Sequence, residues 1–263
     1  MKLTFLGTGH ATTIKNFHTN MLMEFADGYR MLIDCGGDMR RALHAADFTH
    51  LDINAVYISH LHADHVGGME DLAFQTYFDP RYHGKPVLYV SEALQDDMWG
   101  RSLSAGLGSL QGQRCTLDTY FDVRPITKNE SFIVHGIKFR PVQTIHYVDG
   151  YTFALSFGLF FEVGGERVFL TTDTQFAPNQ IQEFYSQATM IVHDAECLPF
   201  KSGVHAHFDE LTTLDPETKA KMYLAHYQDF VIDDPEWKAK AEAAGFRGFI
   251  PQGTVFEFNE EDV

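Results

Sequence analysis

Four side chains able to bind a metal ion fall within six residues, in His60-Leu61-His62-Ala63-Asp64-His65. Imidazole and carboxylate are the ligand types favoured by zinc and related divalent metals. The β-branched apolar run Ala55-Val56-Tyr57-Ile58 precedes the stretch and Gly67-Gly68 follows it. A loop leaving a strand end can turn His60 and His62 one way while the next turn presents Asp64 and His65 to a neighbouring ion, so two adjacent metal ions are expected. The bland reading is a solvated polar turn, but desolvating four such groups together without a metal is costly. Water held by two cations about 3.5–4 Å apart ionises near neutral pH, with a pKa of about 7. The stretch therefore points to a bridging hydroxide as nucleophile, with Asp64 both holding metal and orienting the water. This is hydrolysis rather than redox chemistry.

The elements that must position these groups are short. Leu3 and Phe5 open an alternating run, and residues 21–25 and 29–33 flank Asp27-Gly28, the turn signal of a hairpin. Residues 39–46 can form a short helix, 55–58 a buried strand, 86–90 another strand and 92–99 a helix. Residues 104–112, with three glycines, are expected to be mobile, as a lid, a dimer contact or a plain surface loop. In the second half, strands are expected over 131–134, 137–142, 151–163, 167–172, 190–193 and 222–225. Gly164-Gly165 supplies a tight turn, and helices are expected over 209–221 and 235–244. Strands followed by helices in both halves imply two packed sheets with outer helices, read as one domain over 1–263.

Acidic residues outnumber basic ones by 36 to 20 among 263, a formal net charge of −16, which disfavours a long nucleic acid as substrate. No apolar run is long enough for a membrane span, and the first residues lack the pattern of a secretory signal, so a cytoplasmic setting is expected. Cys35, Cys115 and Cys197 are an odd number standing far apart, which fits reduced thiols better than a disulfide framework.

The ten residues Ser59-His60-Leu61-His62-Ala63-Asp64-His65-Val66-Gly67-Gly68 resemble the signature motif of the metallo-β-lactamase superfamily. The resemblance extends to Phe5-Leu6-Gly7-Thr8-Gly9 and Leu32-Ile33-Asp34-Cys35-Gly36, and its flavour is that of the ribonuclease Z-like phosphodiesterase branch. It implies an αββα sandwich of two mixed sheets flanked by helices. It also implies that His146 completes the site begun by His60 and His62, that Asp173 bridges both metals, and that His226 joins Asp64 and His65. Zinc is the first choice of metal, with manganese or iron as alternatives.

Cleaving a phosphodiester requires a proton for the leaving oxygen. His193-Asp194-Ala195-Glu196, followed by His205-Ala206-His207, is similar to the ribonuclease Z arrangement in which an acidic residue of a His-Glu-Ala-Thr stretch orients a later histidine. Either His205 or His207 can fill that role. His205, oriented by Asp194, is preferred for its spacing before a helix. Between His146 and Asp173, where ribonuclease Z carries a long tRNA-clamping arm, this chain has only the turn at Gly164-Gly165. A small phosphodiester, above all a 3',5'-cyclic nucleotide, is therefore expected, as in the anti-Pycsar cyclic-nucleotide phosphodiesterases that this compact form resembles. Family analogy further implies a homodimer. Phe17, His18, Tyr147 and Tyr151 lie in segments that can approach a base or ribose. The rival readings are a tRNA 3'-end endoribonuclease and a thioester, lactone or β-lactam hydrolase on the same fold. More remote are a noncatalytic nucleotide-sequestering protein and a flavodiiron-like oxidoreductase, the last lacking chain for a flavin domain.

Overall fold

The alternation at Leu3 and Phe5 becomes strand β1 (Lys2–Gly7), and Asp27-Gly28 joins β2 (Asn20–Glu24) to β3 (Arg30–Ile33). Gly28 takes φ +86°, open to glycine because it has no Cβ, and Tyr29 N–H donates to Asp27 Oδ1 at 3.0 Å. The register sets Glu24 opposite Arg30, whose Nε donates to Glu24 Oε2 at 2.8 Å. The structure, a computed structural model, describes residues 1–128 and 130–259. These fall into two compact units, each assembled from separate stretches of chain.

The first unit comprises Met1–Gly7, Phe17–Lys128 and Gly253–Glu257. To the hairpin it adds β4 (Ala55–Ile58), β5 (Val87–Ser91), the small hairpin β6 (Ser109–Leu110) and β7 (Gln113–Arg114), β8 (Asp122–Ile126) and β16 (Val255–Glu257). The main sheet runs β16-β1-β2-β3-β4-β5-β8, antiparallel as far as β3 and parallel from β3 to β8. All four residues of β4 are buried, as its unbroken apolar sequence requires of a central parallel strand. The helix expected over 39–46 is Met39–Ala45. The expected mobile segment differs: it forms the helix Ser104–Leu107 and the β6–β7 hairpin. Leu103 and Leu107 are buried there, and Tyr120 Oη donates to the Leu107 carbonyl at 3.0 Å, so apolar anchoring outweighs the glycine content.

The second unit comprises Thr8–Asn16 and the described residues of Asn129–Gln252 and Phe258–Val263. Its strands are β9 (Phe132–Val134), β10 (Ile137–Val148), β11 (Phe153–Val163), β12 (Glu166–Leu170), β13 (Met190–Asp194), β14 (Met222–Ala225) and β15 (Gly248–Phe249). They order as β15-β14-β13-β12-β11-β10-β9, parallel from β15 to β12 and antiparallel beyond. The helix Pro178–Gln187 buries Ile181, Phe184 and Tyr185, with Phe184 and Phe169 ring centroids 5.4 Å apart. The helix Pro235–Ala244 stands where its early proline predicts, and Gly245 closes it at φ +93°. The helix expected over 209–221 is instead two short pieces, Phe208–Leu211 and Pro216–Lys219. Pro216 cannot donate to a continuing helix, and Asp215 restarts one by accepting from Thr218 N–H at 2.8 Å. Among the described residues no helix is long and apolar enough to cross a membrane.

Candidate metal centre

In the first unit β4 delivers the chain to Ser59 and His60, both buried, and one helical turn, Ala63–Val66, carries Asp64 and His65. The His60 ring lies 5.1 Å from that of His62 and 4.1 Å from that of His65, and Asp64 Oδ2 is 3.2 Å from His65 Nε2. Asp34, just beyond β3 and left-handed at φ +64°, organises this turn. Its Oδ1 accepts from Ser59 N–H at 2.8 Å, and its Oδ2 accepts from Ser59 Oγ and from His65 Nδ1–H, each at 2.7 Å. Ser59 Oγ in turn lies 3.1 Å from His60 Nδ1. With their Nδ1 atoms so engaged, Nε2 is the nitrogen that a metal ion would take on His60 and His65. The backbone closes tightly around the turn: Cys35 N–H donates to His65 O at 2.7 Å and Gly68 N–H to Cys35 O at 2.8 Å. A Cβ on Gly36 would stand 2.1 Å from Asp64 O, so this position needs glycine.

In the second unit the candidate donors come from separate strands. His146 sits inside β10, not after it, where the register with β11 slips between Ile145 and Tyr147. Such a bulge re-aims a side chain that regular alternation would point elsewhere. Its Nδ1–H donates to Val204 O at 2.9 Å, so that Nε2 is the nitrogen a metal ion would take. Asp173 follows β12 behind Thr172, and His226 follows β14; Thr172 and His226 themselves hold φ of +53° and +59°. Left-handed backbone at a β-branched threonine is costly and is found where function fixes geometry. Asp173 Oδ2 lies 3.2 Å from His226 Nε2, 3.7 Å from His146 Nε2 and 3.8 Å from His205 Nδ1. The strand end at His226 is clasped through Tyr227, whose N–H donates to Thr8 O and whose carbonyl accepts from His10 N–H, each at 3.3 Å.

Asp194, the last residue of β13, accepts from His205 Nδ1–H through Oδ2 at 3.0 Å, and donor atoms of Asp173, Asp194 and His205 all lie within 4.8 Å of one another. Burial works against the Asp194 carboxylate, yet hydrogen bonds and charge from His193 and His205 hold its pKa below the ordinary value. Burial likewise opposes charge on His205. The Asp194 hydrogen bond and the charges of Asp173, Asp194 and Glu196 outweigh it and push the ring up to about 9. His207 is placed differently. Its Nδ1 accepts from Asp209 N–H at 3.2 Å and its Nε2–H donates to Leu198 O at 2.8 Å, so it caps the helix Phe208–Leu211. Of the two histidines, His205 alone is held on Asp194.

Of the residues expected near a base or ribose, Tyr151 is 97% exposed, Tyr147 stacks edgewise on His146 at 5.5 Å, and His18 Nδ1 is 3.2 Å from Asp38 Oδ1. The roles of Asp34, Ser59 and the Val204 carbonyl were not read from sequence. Asp34 did carry a signal, an acidic residue ending a buried apolar strand. Buried imidazoles and carboxylates, with second ring nitrogens tied to Asp34, Ser59 and Val204, fit divalent metals of the zinc class.

Residues 1–256 match the family model described as anti-Pycsar protein Apyc1. The chain belongs to the anti-Pycsar Apyc1 family. A relative within that family, the anti-Pycsar protein Apyc1 of Paenibacillus harenae, is 34% identical over 226 residues, 85% of this chain and 88% of the relative. Among solved structures, the metallo-β-lactamase fold protein YhfI from Bacillus subtilis superposes with a TM-score of 0.73 at 18% identity, covering 97% of this chain and 98% of that one. Zn(2+)-bound PqqB from Methylobacterium extorquens superposes with a TM-score of 0.72 at 13% identity, covering 98% of this chain and 100% of that one. The metallo-β-lactamase fold is thus the one that the motif around His60 implies, and the anti-Pycsar family the one that the compact form without a tRNA-clamping arm resembles.

Proposed function

We propose that this anti-Pycsar family member is a binuclear metal-dependent phosphodiesterase that hydrolyses a small phosphodiester, first of all a 3',5'-cyclic nucleotide. In this reading, as the family resemblance implies, His60, His62, His146 and Asp173 hold one divalent ion, and Asp64, His65, Asp173 and His226 hold the other. Zinc suits the donors best, with manganese or iron as alternatives. Bound ions of this kind acidify water and neutralise charge developing on phosphoryl oxygens. The chain's own contribution is to fix the donors through Asp34, Ser59 and Val204 and to supply a proton. His205, tied to Asp194 through Nδ1, offers Nε2–H to the departing sugar oxygen, while Asp194 steadies the imidazolium and sets the ring's angle.

The observation that carries this reading is the His205–Asp194 pair, 3.0 Å apart, with the same Nδ1 3.8 Å from Asp173. A histidine held on a carboxylate beside the candidate metal ligands suits an alkoxide leaving group, which needs a proton, more than a thiolate, which does not. A turn of two glycines in place of a long arm, and the net charge of −16, disfavour tRNA. Buried free cysteines accord with the cytoplasm, and exposed Val148, Tyr151 and Phe153 near the β10–β11 turn accord with a homodimer. The test is a substrate panel of cyclic mononucleotides, bis(p-nitrophenyl) phosphate, a tRNA precursor, a thioester and a lactone, with Asp64→Ala as control. Cleavage of cyclic nucleotides that the control abolishes is the expected outcome. Turnover of tRNA or carbonyl substrates alone contradicts the assignment. A monomeric mass in solution scattering removes the homodimer.

A further inference from the structure

Behind the Asp194–His205 pair stand two polar aromatic residues that the reading above leaves without a task. Tyr185, on the helix Pro178–Gln187, and His193, on β13, are each 1% exposed. Tyr185 Oη lies 2.7 Å from His193 Nε2. On its other side, His193 Nδ1 is 2.8 Å from the Asp194 carbonyl oxygen and 3.0 Å from Asp194 Oδ1. Since both neighbours of Nδ1 are acceptors, Nδ1 carries the proton. In the neutral ring Nε2 is then the acceptor and the tyrosine hydroxyl the donor. Burial pushes the Tyr185 hydroxyl well up, so it remains a donor throughout the working pH range. The other Asp194 oxygen, Oδ2, takes His205 Nδ1–H at 3.0 Å and Thr174 N–H at 3.2 Å.

We propose that Tyr185 and His193 are positioning residues for proton delivery: a buried chain Tyr185–His193–Asp194–His205 sets the angle at which Asp194 holds His205. Three of its four members are buried, and burying their polar atoms is costly unless each is partnered. Phenylalanine and leucine would fill the same volume without that cost. Hydrogen bonds run from Tyr185 to His193 and from His193 to the Asp194 backbone carbonyl, and the same Nδ1 stands 3.0 Å from Oδ1 of the carboxylate that orients His205. With His193 beside Oδ1, the carboxylate cannot swing about its Cβ–Cγ bond without losing that neighbour, which keeps Oδ2 aimed at His205. The inference rests on His205 being the proton donor.

The test compares two phosphodiesters in the metal-loaded protein: a cyclic nucleotide, whose alkoxide leaving group needs a proton, and bis(p-nitrophenyl) phosphate, whose nitrophenolate does not. Tyr185→Phe removes one hydroxyl at nearly constant volume, and His193→Ala removes the ring. On the cyclic nucleotide, kcat falls about tenfold for Tyr185→Phe and about 10–100-fold for His193→Ala, the range seen for outer partners of a functional group. Turnover of the nitrophenyl ester and the metal affinity measured by titration stay at the parent values. His193→Asn, whose amide N–H can stand near the Nδ1 position, recovers most of the loss. A parallel fall on both substrates, or no fall on either, overturns the inference. His205→Ala in the same assay separates the two levels: if it is selective for the cyclic nucleotide while the Tyr185 and His193 variants are not, the chain fails and the donor stands. If His205→Ala shows no selectivity, the donor reading fails and the inference with it. Should His193→Ala not fold, Tyr185→Phe decides alone.

Discussion

The two units present their candidate metal donors in opposite ways. In the first, His60, His62, Asp64 and His65 occupy one turn after β4, braced by the single carboxylate of Asp34. In the second, His146 lies in β10 while Asp173 and His226 follow β12 and β14, and their placement depends on a bulge in β10 and on left-handed backbone at Thr172 and His226. A local set needs only one turn to be correct. A dispersed set needs strand register, and so records the packing of a whole sheet in the position of each donor.

Removing the shared carboxylate should strain this contrast most. Asp173→Ala is expected to lower kcat on the order of 10³-fold or more, since transition-state charge stabilisation by metal is worth several kcal/mol. Metal analysis should show at least one ion lost. Retention of two ions would mean the dispersed set does not depend on its carboxylate. Next, His205→Ala should lower cyclic-nucleotide turnover about 10²–10³-fold, as for loss of a general acid, with metal content unchanged. His207→Ala should leave turnover nearly as in the parent and cost about 1 kcal/mol of stability as a lost cap. Equal kinetic effects from the two would erase the distinction their partners draw.

Bracing of the local set is tested by Asp34→Ala, expected to weaken metal binding about 10–100-fold in calorimetric titration. An unchanged affinity would show that the turn holds itself. The smallest effect belongs to a residue remote from both sets. Asp215→Ala removes the cap that restarts the chain at Pro216–Lys219 and should cost about 1 kcal/mol in denaturant unfolding, with metal affinity unchanged. Hydrogen bonds from the Thr218 N–H and hydroxyl lower the Asp215 pKa. A carboxylate with a depressed folded-state pKa stabilises above its unfolded pKa and loses that contribution as pH falls through the folded value. Parent and variant should therefore converge in stability in acid.

The contrast also explains what could be read from the sequence. The local turn, the Asp27-Gly28 hairpin, β4, β14 and the helix Pro235–Ala244 depend on neighbours in the chain, and their residues announce them. The ten residues from Ser59 to Gly68 carried the superfamily resemblance and, through it, the fold. The break at Pro216 was visible as a proline inside the stretch 209–221 expected to form one helix. The bulge at His146 was not visible, because one extra residue in β10 is defined only against its partner β11. Spacing before a helix favoured His205 over His207 but gave no physical ground for the choice. They stand two residues apart, and the difference lies in Asp194 reaching one while Leu198 O and Asp209 N–H hold the other.

The central claim is metal-dependent hydrolysis of a cyclic nucleotide, and it is tested most directly by turnover of the chelator-stripped protein with and without two equivalents of a divalent metal, beside Asp64→Ala. The account predicts that stripped protein and variant are inactive and that the reconstituted parent opens the cyclic phosphodiester to a linear nucleoside monophosphate. No opening by the reconstituted parent, or equal opening by the stripped protein, would contradict it.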